Sequence, residues 1–286
     1  VILADVKHAV RGQSWVRYWR SPDQPVEAMH ASFHREVYHR HSHETYSFGV
    51  TEVGAQTFHC RGASHVSAQG MVMIFNPDEP HDGRAAAEIG FNYRIIHLGP
   101  ELVRDVLSDA QGRSYGLPLF TSPVIDDPML AAALRGLHAT LTGGATAARR
   151  DERLTEVLTL VARRQASRPP GDPGREPVLP EAFRSVRDLI HADPAAELTT
   201  DELAAAAGAS RFTVYRAFQA AVGMSPSDYQ RQLRLRRARA LLAEGRPAGD
   251  VAAEVGFADQ AHLIRWFSRH YGVTPGAYQR AGRTPA

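Results

Sequence analysis

Apolar and polar positions alternate in short runs over the first hundred residues. Residues Glu44–Val50, Gln56–Cys60, Gly70–Phe75 and Phe91–Leu98 each show this pattern, with glycine-containing breaks between them. A period of two predicts half-buried strands, and several strands at this spacing predict a β-sandwich or small barrel. From Pro100 the period lengthens. Leu130, Leu134, Leu137 and Leu141 recur at spacings of three and four, as do Leu154, Val157, Leu158 and Val161 beyond Gly143-Gly144. This predicts a helical hairpin with one apolar stripe, which can pack on the barrel or pair two subunits.

Residues 165–180 carry five prolines and two glycines, the composition of a semi-rigid linker. Beyond it the pattern is wholly helical. Phe183, Val186, Leu189 and Ile190 mark one face of a helix over 182–191. Thr199 and Glu202 have capping-box spacing ahead of a short helix over 203–207. Gly208 then supplies a turn, and Ser210 caps a helix from Arg211 to about Ala221. Helix, glycine turn and capped second helix make a helix-turn-helix. A second unit follows, with a helix over 250–255, a turn at Gly256 and Asp259 as the next cap. Leu263, Trp266 and Phe267 are its expected core. Between the units a long helix over 228–244 has Leu235, Ala238 and Leu242 as its stripe. Arg231, Arg234, Arg236, Arg237 and Arg239 are its expected basic surface.

The two units are copies. Residues 211–231 and 260–280 align without a gap at an offset of 49, with seven identities. These are Arg216/Arg265, Phe218/Phe267, Gly223/Gly272, Pro226/Pro275, Tyr229/Tyr278, Gln230/Gln279 and Arg231/Arg280. Val214, Ala217 and Phe218 should be buried, leaving Arg211, Phe212, Tyr215 and Arg216 facing outward. Gln260, Ala261, His262, Arg265 and Arg269 hold the corresponding face of the second copy. Arginine suits guanine or phosphate, and an exposed aromatic suits thymine methyls or sugars. A lone surface arginine is usually a solvated charge. The repetition singles out Arg216 and Arg265, and the other outward positions differ, so the two copies should read different bases. An asymmetric site follows, with two major-groove contacts roughly 10 bp apart.

Composition adds little. A net charge of +2 and 22% charged residues are ordinary for a soluble globular protein. Residues 178–286 hold 14 Arg against 11 Asp and Glu, a mild bias toward a nucleic-acid face. One cysteine, Cys60, excludes an intrachain disulfide and fits a reducing compartment. A role in redox sensing is weaker than inert packing. Asp5, Lys7, Arg11, Arg17 and Arg20 break up the first twenty residues, so no secretory signal is expected. No apolar run reaches membrane-spanning length, and a cytoplasmic protein is expected.

The stretch from Gly256-Phe-Ala-Asp-Gln260 to Gly272-Val-Thr-Pro-Gly-Ala-Tyr278 resembles the signature of the AraC/XylS transcription regulators. The resemblance covers roughly residues 180–280. It implies base contacts from Phe212, Tyr215, Arg216, Gln260, Ala261, His262 and Arg265, promoter DNA as partner, and often contact with RNA polymerase. It extends more weakly to the front, where such proteins often carry a cupin-like barrel that binds an effector, then a dimerising hairpin. His41-Ser-His43, Gly70–Pro77 and Pro80-His81 are the local match. Three histidines can hold Zn, Fe or Ni. Ser47 and Phe48, however, stand where a cupin's carboxylate ligand would fall, so no metal and no cofactor are expected. His41, His43, Tyr46, His81 and Tyr93 are instead expected to orient an organic effector. Tyr93 and Arg94 cannot both face inward.

The expected fold is therefore α+β and multidomain. A cupin-like effector-binding and dimerisation domain spans 1–164, with its barrel over about 1–100 and helices over 101–164. The linker is 165–180, and an all-α double helix-turn-helix domain spans 181–286. The expected function is non-enzymatic: an effector-controlled, DNA-binding homodimer. The alternatives are a cupin-type metalloenzyme with a DNA-binding tail and a constitutive DNA-binding dimer.

Overall fold

The computed structural model describes residues 14–34, 37–86, 90–166 and 179–281. They divide into two compact bodies. Most of the proline-rich stretch, residues 167–178, lies outside the described residues.

The first body contains strands β1 (Trp15–Arg20), β2 (Val26–Phe33), β3 (Val37–His41), β4 (Tyr46–Cys60), β5 (Ala63–Ala68), β6 (Val72–Phe75), β7 (His81–Ala85) and β8 (Phe91–Leu98). Helix α1 (Pro100–Gln111), the short strand β9 (Val124–Ile125) and helices α2 (Pro128–Thr142) and α3 (Ala147–Gln165) follow. One antiparallel sheet has the order β1-β2-β8-β4-β6-β9. A second pairs the far end of β4 with β5 and β7, and β7 with β3. The last residues of β3, His39–His41, group with the second body rather than the first. The two runs read as separate strands over 44–50 and 56–60 are thus one fifteen-residue strand. It passes from one sheet to the other between Gly54 and Ala55, just beyond a register shift between Thr51 and Val53. A bulge re-aims a strand in this way without ending it. Among the described residues the strand order is an open, cupin-like double sheet rather than a closed barrel.

Alternation sorts side chains onto two faces. Tyr46, Phe48 and Val50 of β4 and Ile96 and Leu98 of β8 pack against the helices. Phe91, Tyr93 and Ile95 of β8 join Met73 and Phe75 of β6 in a second cluster between the sheets. The apolar stripes of α2 and α3 lie in the first cluster, with Leu130, Leu137 and Val161 each at most 1% exposed. The sheet therefore covers the stripe proposed above as a possible subunit surface.

Helix α2 is also pinned by polar contacts. Glu52 of β4 accepts from Arg94 Nε at 3.0 Å and from Arg135 Nε at 2.9 Å. His138 is 3% exposed; its Nε2–H donates to the Met29 carbonyl at 3.2 Å, and its Nδ1 accepts from Arg94 at 3.3 Å. The ring is therefore satisfied as neutral imidazole, and a second proton would set a buried cation against Arg94. Burial first, then Arg94, holds its pKa down to about 4 from 6.5. As pH falls below 6.5 the unfolded chain takes up a proton here that the folded chain refuses until about pH 4. Stability should therefore fall across that window, by about 3 kcal/mol from this group. Thermal melting at pH 7 and pH 4.5 checks this. The His138→Gln variant should show a shallower pH dependence, and an equal slope in both proteins would refute the assignment.

The second body is all-helical: α4 (Glu181–Ala192), α5 (Thr200–Ala206), α6 (Arg211–Val222), α7 (Pro226–Ala243), α8 (Ala248–Glu254), α9 (Gln260–Tyr271) and α10 (Pro275–Ala281). Thr199 and Glu202 form the capping box, while Ser210 and Asp259 cap α6 and α9. The seven-residue identity resolves into repeated construction. Gly223 and Gly272 end α6 and α9 in the left-handed region, at φ 66° and 73°. Pro226 and Pro275 begin α7 and α10. Phe218 meets Tyr229 edge-on at 5.6 Å, and Phe267 meets Tyr278 edge-on at 5.7 Å. Gln230 donates to the carbonyls of Pro194 and Ala196 ahead of α5, and Gln279 donates to that of Arg246 ahead of α8. Each copy closes its own helix-turn-helix with one aromatic pair and one glutamine.

Two expectations about side chains change. Trp266 is half-buried rather than core, while Leu263 and Phe267 are fully buried. Its indole N–H donates to His262, and Arg231 lies 3.8 Å from its ring centroid, which keeps it at the boundary. Arg234 is not part of a basic surface. Its guanidinium points inward and donates to the carbonyls of Pro194, Ala195, Ala196 and Gly256.

Candidate DNA-reading surface and histidine cluster

Helix α6 buries Val214, Ala217 and Phe218 and turns Arg211, Phe212, Tyr215 and Arg216 outward. Phe212 is 67% exposed and Tyr215 is 48% exposed. Two large aromatics left in water on one helix face mark a contact surface. The Arg216 guanidinium lies 5.6 Å from the Phe212 ring centroid, an arrangement that orients the arginine without using its donors. Arg211 differs, because it forms a two-pronged ion pair with Asp201 of α5. Reaching a nucleic acid would mean giving up that pair.

On α9, Gln260, Ala261, Arg265 and Arg269 are exposed. Arg269 lies 5.3 Å from the Trp266 ring centroid. His262 is half-buried, with its Nε2 accepting from Trp266 at 2.9 Å. That bond places the ring hydrogen on Nδ1. Arg216 and Arg265 occupy one register on the two second helices, both exposed and both two residues before a buried phenylalanine, Phe218 and Phe267.

In the first body His43, His81 and His97 lie near one another. His41 ends β3, His43 lies in the following loop, and His81 begins β7. His41 and His81 are buried, and the His81 ring stacks on Phe75 at 4.0 Å. His43 lies 5.4 Å from His81 and 5.0 Å from His97, ring centre to ring centre. His97 was not selected from the sequence, although it continues the inward alternation Phe91, Tyr93, Ile95. Its Nδ1 shares a 2.9 Å hydrogen bond with Ser47, the residue that stands where a carboxylate was sought.

Tyr93 faces the inner cluster, and its hydroxyl meets that of Tyr38 at 3.3 Å. Arg94 faces the helices. Tyr46 does not join the histidines. It lies in the cluster on the helix side of the sheet and donates to the Pro118 carbonyl at 2.7 Å. Burial raises both tyrosine pKa values, so neither phenol ionises in the ordinary range. Cys60 is fully buried between the sheets as the cross-strand partner of His81. Among the described residues, no helix is long and apolar enough to cross a membrane.

Comparison with known proteins bears on both bodies. Residues 24–158 match the family model of the AraC-like ligand binding domain, and residues 203–281 match that of a helix-turn-helix domain. The HTH-type transcriptional regulator YbfI of Bacillus subtilis is 25% identical over 85% of this chain and 87% of its own. The HTH-type transcriptional regulator MtrA of Neisseria gonorrhoeae is 37% identical, over 31% of this chain and 30% of its own. Among solved structures, apo ToxT from Vibrio cholerae aligns over 94% of this chain and 98% of that one. The TM-score is 0.53 and the identity 10%, a likeness of fold. ToxT with a bound unsaturated fatty acid aligns over 93% of this chain and 94% of its own, at TM-score 0.52 and 10% identity.

Proposed function

This chain belongs to the AraC family of transcription regulators, with a ligand-binding domain ahead of a DNA-binding helix-turn-helix domain, and we propose that its two second helices, α6 and α9, read adjacent major-groove segments of an asymmetric promoter site. The observation that carries this reading is the pair Arg216 and Arg265. Both are exposed and hold one register on a scaffold built twice. Phe212, Tyr215 and Arg211 complete the first reading face. Gln260, Ala261, His262 and Arg269 complete the second.

The first body, through residue 164, acts as the sensing and pairing domain, and residues 165–180 link it to the reader. His43, His81 and Tyr93 are its effector-facing groups. The shared fold with fatty-acid-bound ToxT supports a small organic effector. Effector binding acts through differential affinity for two arrangements of the protein. The protein works as a homodimer in the cytoplasm, contacts RNA polymerase and performs no catalysis. Since the sheet covers the apolar stripes of α2 and α3, pairing uses the outer faces of these helices.

Equilibrium binding of Arg216→Ala and Arg265→Ala variants to promoter and random DNA tests the reading. Each substitution should cost ~1–3 kcal/mol on the specific site, about 5- to 150-fold in Kd, with a smaller loss on random DNA. Equal losses on both DNAs would make these phosphate contacts and overturn the assignment.

A further inference from the structure

We propose that β5 pairs edge to edge with β5 of a second copy of this chain, in an antiparallel contact centred on His65. Among the described residues β5 pairs only with β4, so its other edge has no strand beside it. Exposed sheet edges are normally blunted by charge, proline or shortness. The outer strands of the other sheet follow that rule. β1 carries Arg17 and Arg20, and β9 is two residues long between Pro123 and Asp126. β5 reads Ala63-Ser-His-Val-Ser-Ala68, six residues with no acid, lysine, arginine or proline. Ser64 and Val66 are exposed, Val66 at 54%.

The bonding phase between β4 and β5 fixes which groups that edge offers. The two strands join through the turn Arg61-Gly62, with both residues at positive φ, 53° and 75°. A two-residue turn of this kind makes its flanking residues, Cys60 and Ala63, a hydrogen-bonded pair. Alternation then makes 59 with 64, 57 with 66 and 55 with 68 the pairs that exchange no bonds. The side contacts of β4 agree. The His59 N–H donates to Asp82 and the Ala55 carbonyl accepts from Ala86, both toward β7 rather than β5. Ala68 turns its carbonyl to the Met71 N–H. Ser64 and Val66 therefore aim their N–H and C=O groups out of the sheet edge, two donors and two acceptors.

That set is self-complementary. A twofold axis at His65 places Ser64 opposite Val66 of the second copy, and Val66 opposite its Ser64. Each pair exchanges both of its bonds, so four hydrogen bonds use every outward group of the two residues on both chains. Charge favours the same occupant. Arg61 falls opposite Gln69 of the second copy, so no like charges meet across the axis, and Arg61 is already paired with Glu79. A six-residue edge supplies less than the ~800 Å² per partner that a stable complex buries. The contact therefore joins copies that are already concentrated, as on neighbouring DNA sites. It is separate from pairing through α2 and α3 and does not depend on it.

Sedimentation of the full chain at rising concentration is the test. The mass should double relative to the low-concentration species, whatever order the helices set. Val66→Pro removes an outward N–H that no backbone bond among the described residues uses, and edge strands tolerate proline at such positions. It should hold the mass at its low-concentration value. Val66→Lys, which leaves the backbone unconstrained, should do the same. His65→Cys should form an intermolecular disulfide under mild oxidation, because residues facing each other at the axis stand about 4.5 Å apart at Cα. Ser64→Cys should crosslink at least ~10-fold less, since its two copies are offset along the strands. Cys60 is fully buried and does not compete. A constant mass in the wild type assigns the edge to solvent or to a foreign extended segment and overturns the proposal. Equal doubling in both Val66 variants, or equal crosslinking of the two cysteine variants, overturns it as well. A monomer at low concentration that still doubles would refute pairing through α2 and α3 while supporting the β5 contact.

Discussion

Arg234→Met is expected to lower the unfolding free energy of the second body by about 3 kcal/mol. Arg234 extends from α7 into the junction of the two helix-turn-helix units. Its Nε donates to the Pro194 carbonyl at 2.7 Å, Nη1 to that of Gly256 at 2.5 Å, and Nη2 to those of Ala196 and Ala195 at 2.8 Å and 3.2 Å. One planar cation thus satisfies the loop between α4 and α5 and the turn between α8 and α9. Hydrogen bonds from a charged donor contribute roughly 1.5–3 kcal/mol each, and four on one group do not add fully. Methionine keeps the volume of the stem and removes every donor. Lysine should not restore stability, because a single ammonium cannot span four carbonyls fixed for a fork. Urea unfolding of the full chain, followed through its helical signal, gives the change directly. A loss under 1 kcal/mol would show that water replaces the guanidinium without penalty.

The same residue shows where sequence reading ran out. The period of Leu235, Ala238 and Leu242 correctly gave α7 one buried stripe, and the arginines between were assigned to solvent. That step assumes a helix with one packed face. Helix α7 instead crosses between two units, and Gln232 is buried as well. Hydrophobic spacing cannot report a face that packs through hydrogen bonds to loop carbonyls. The repeat was more informative than periodicity, because Phe218/Phe267, Tyr229/Tyr278 and Gln230/Gln279 fall in matching contacts. In the first body, alternation was legible and distance was not. The parity of β4 separates Tyr46 from Ser47, and that of β8 puts Tyr93 and His97 on the inner face. The meeting of Ser47 with His97 depends on the β4–β8 register, which places them opposite each other. No local sequence signal encodes that register.

Gly256→Ala should destabilise the second helix-turn-helix by ~2–4 kcal/mol, while Gly208→Ala, at the matching turn of the first, should cost only ~1 kcal/mol. Both glycines have positive φ, 82° at Gly256 and 56° at Gly208. An alanine pays about the same left-handed penalty at either site. The difference lies in what surrounds the new Cβ. At Gly208 nothing lies within 4 Å, whereas at Gly256 the Cβ would stand 2.6 Å from the Ala195 carbonyl oxygen and 2.9 Å from its Cα. These are backbone atoms, and they cannot rotate away as a side chain would. The displaced carbonyl belongs to the loop that Arg234 also grips, and the Gly256 carbonyl is itself an Arg234 acceptor. The two substitutions therefore damage one junction, and Arg234→Met with Gly256→Ala should cost less than the sum of the single losses. Urea unfolding of the two single variants and the double variant measures that coupling. Additive losses would mean that the loop between α4 and α5 and the turn between α8 and α9 respond independently. α7 would then join the two units without making them one cooperative body.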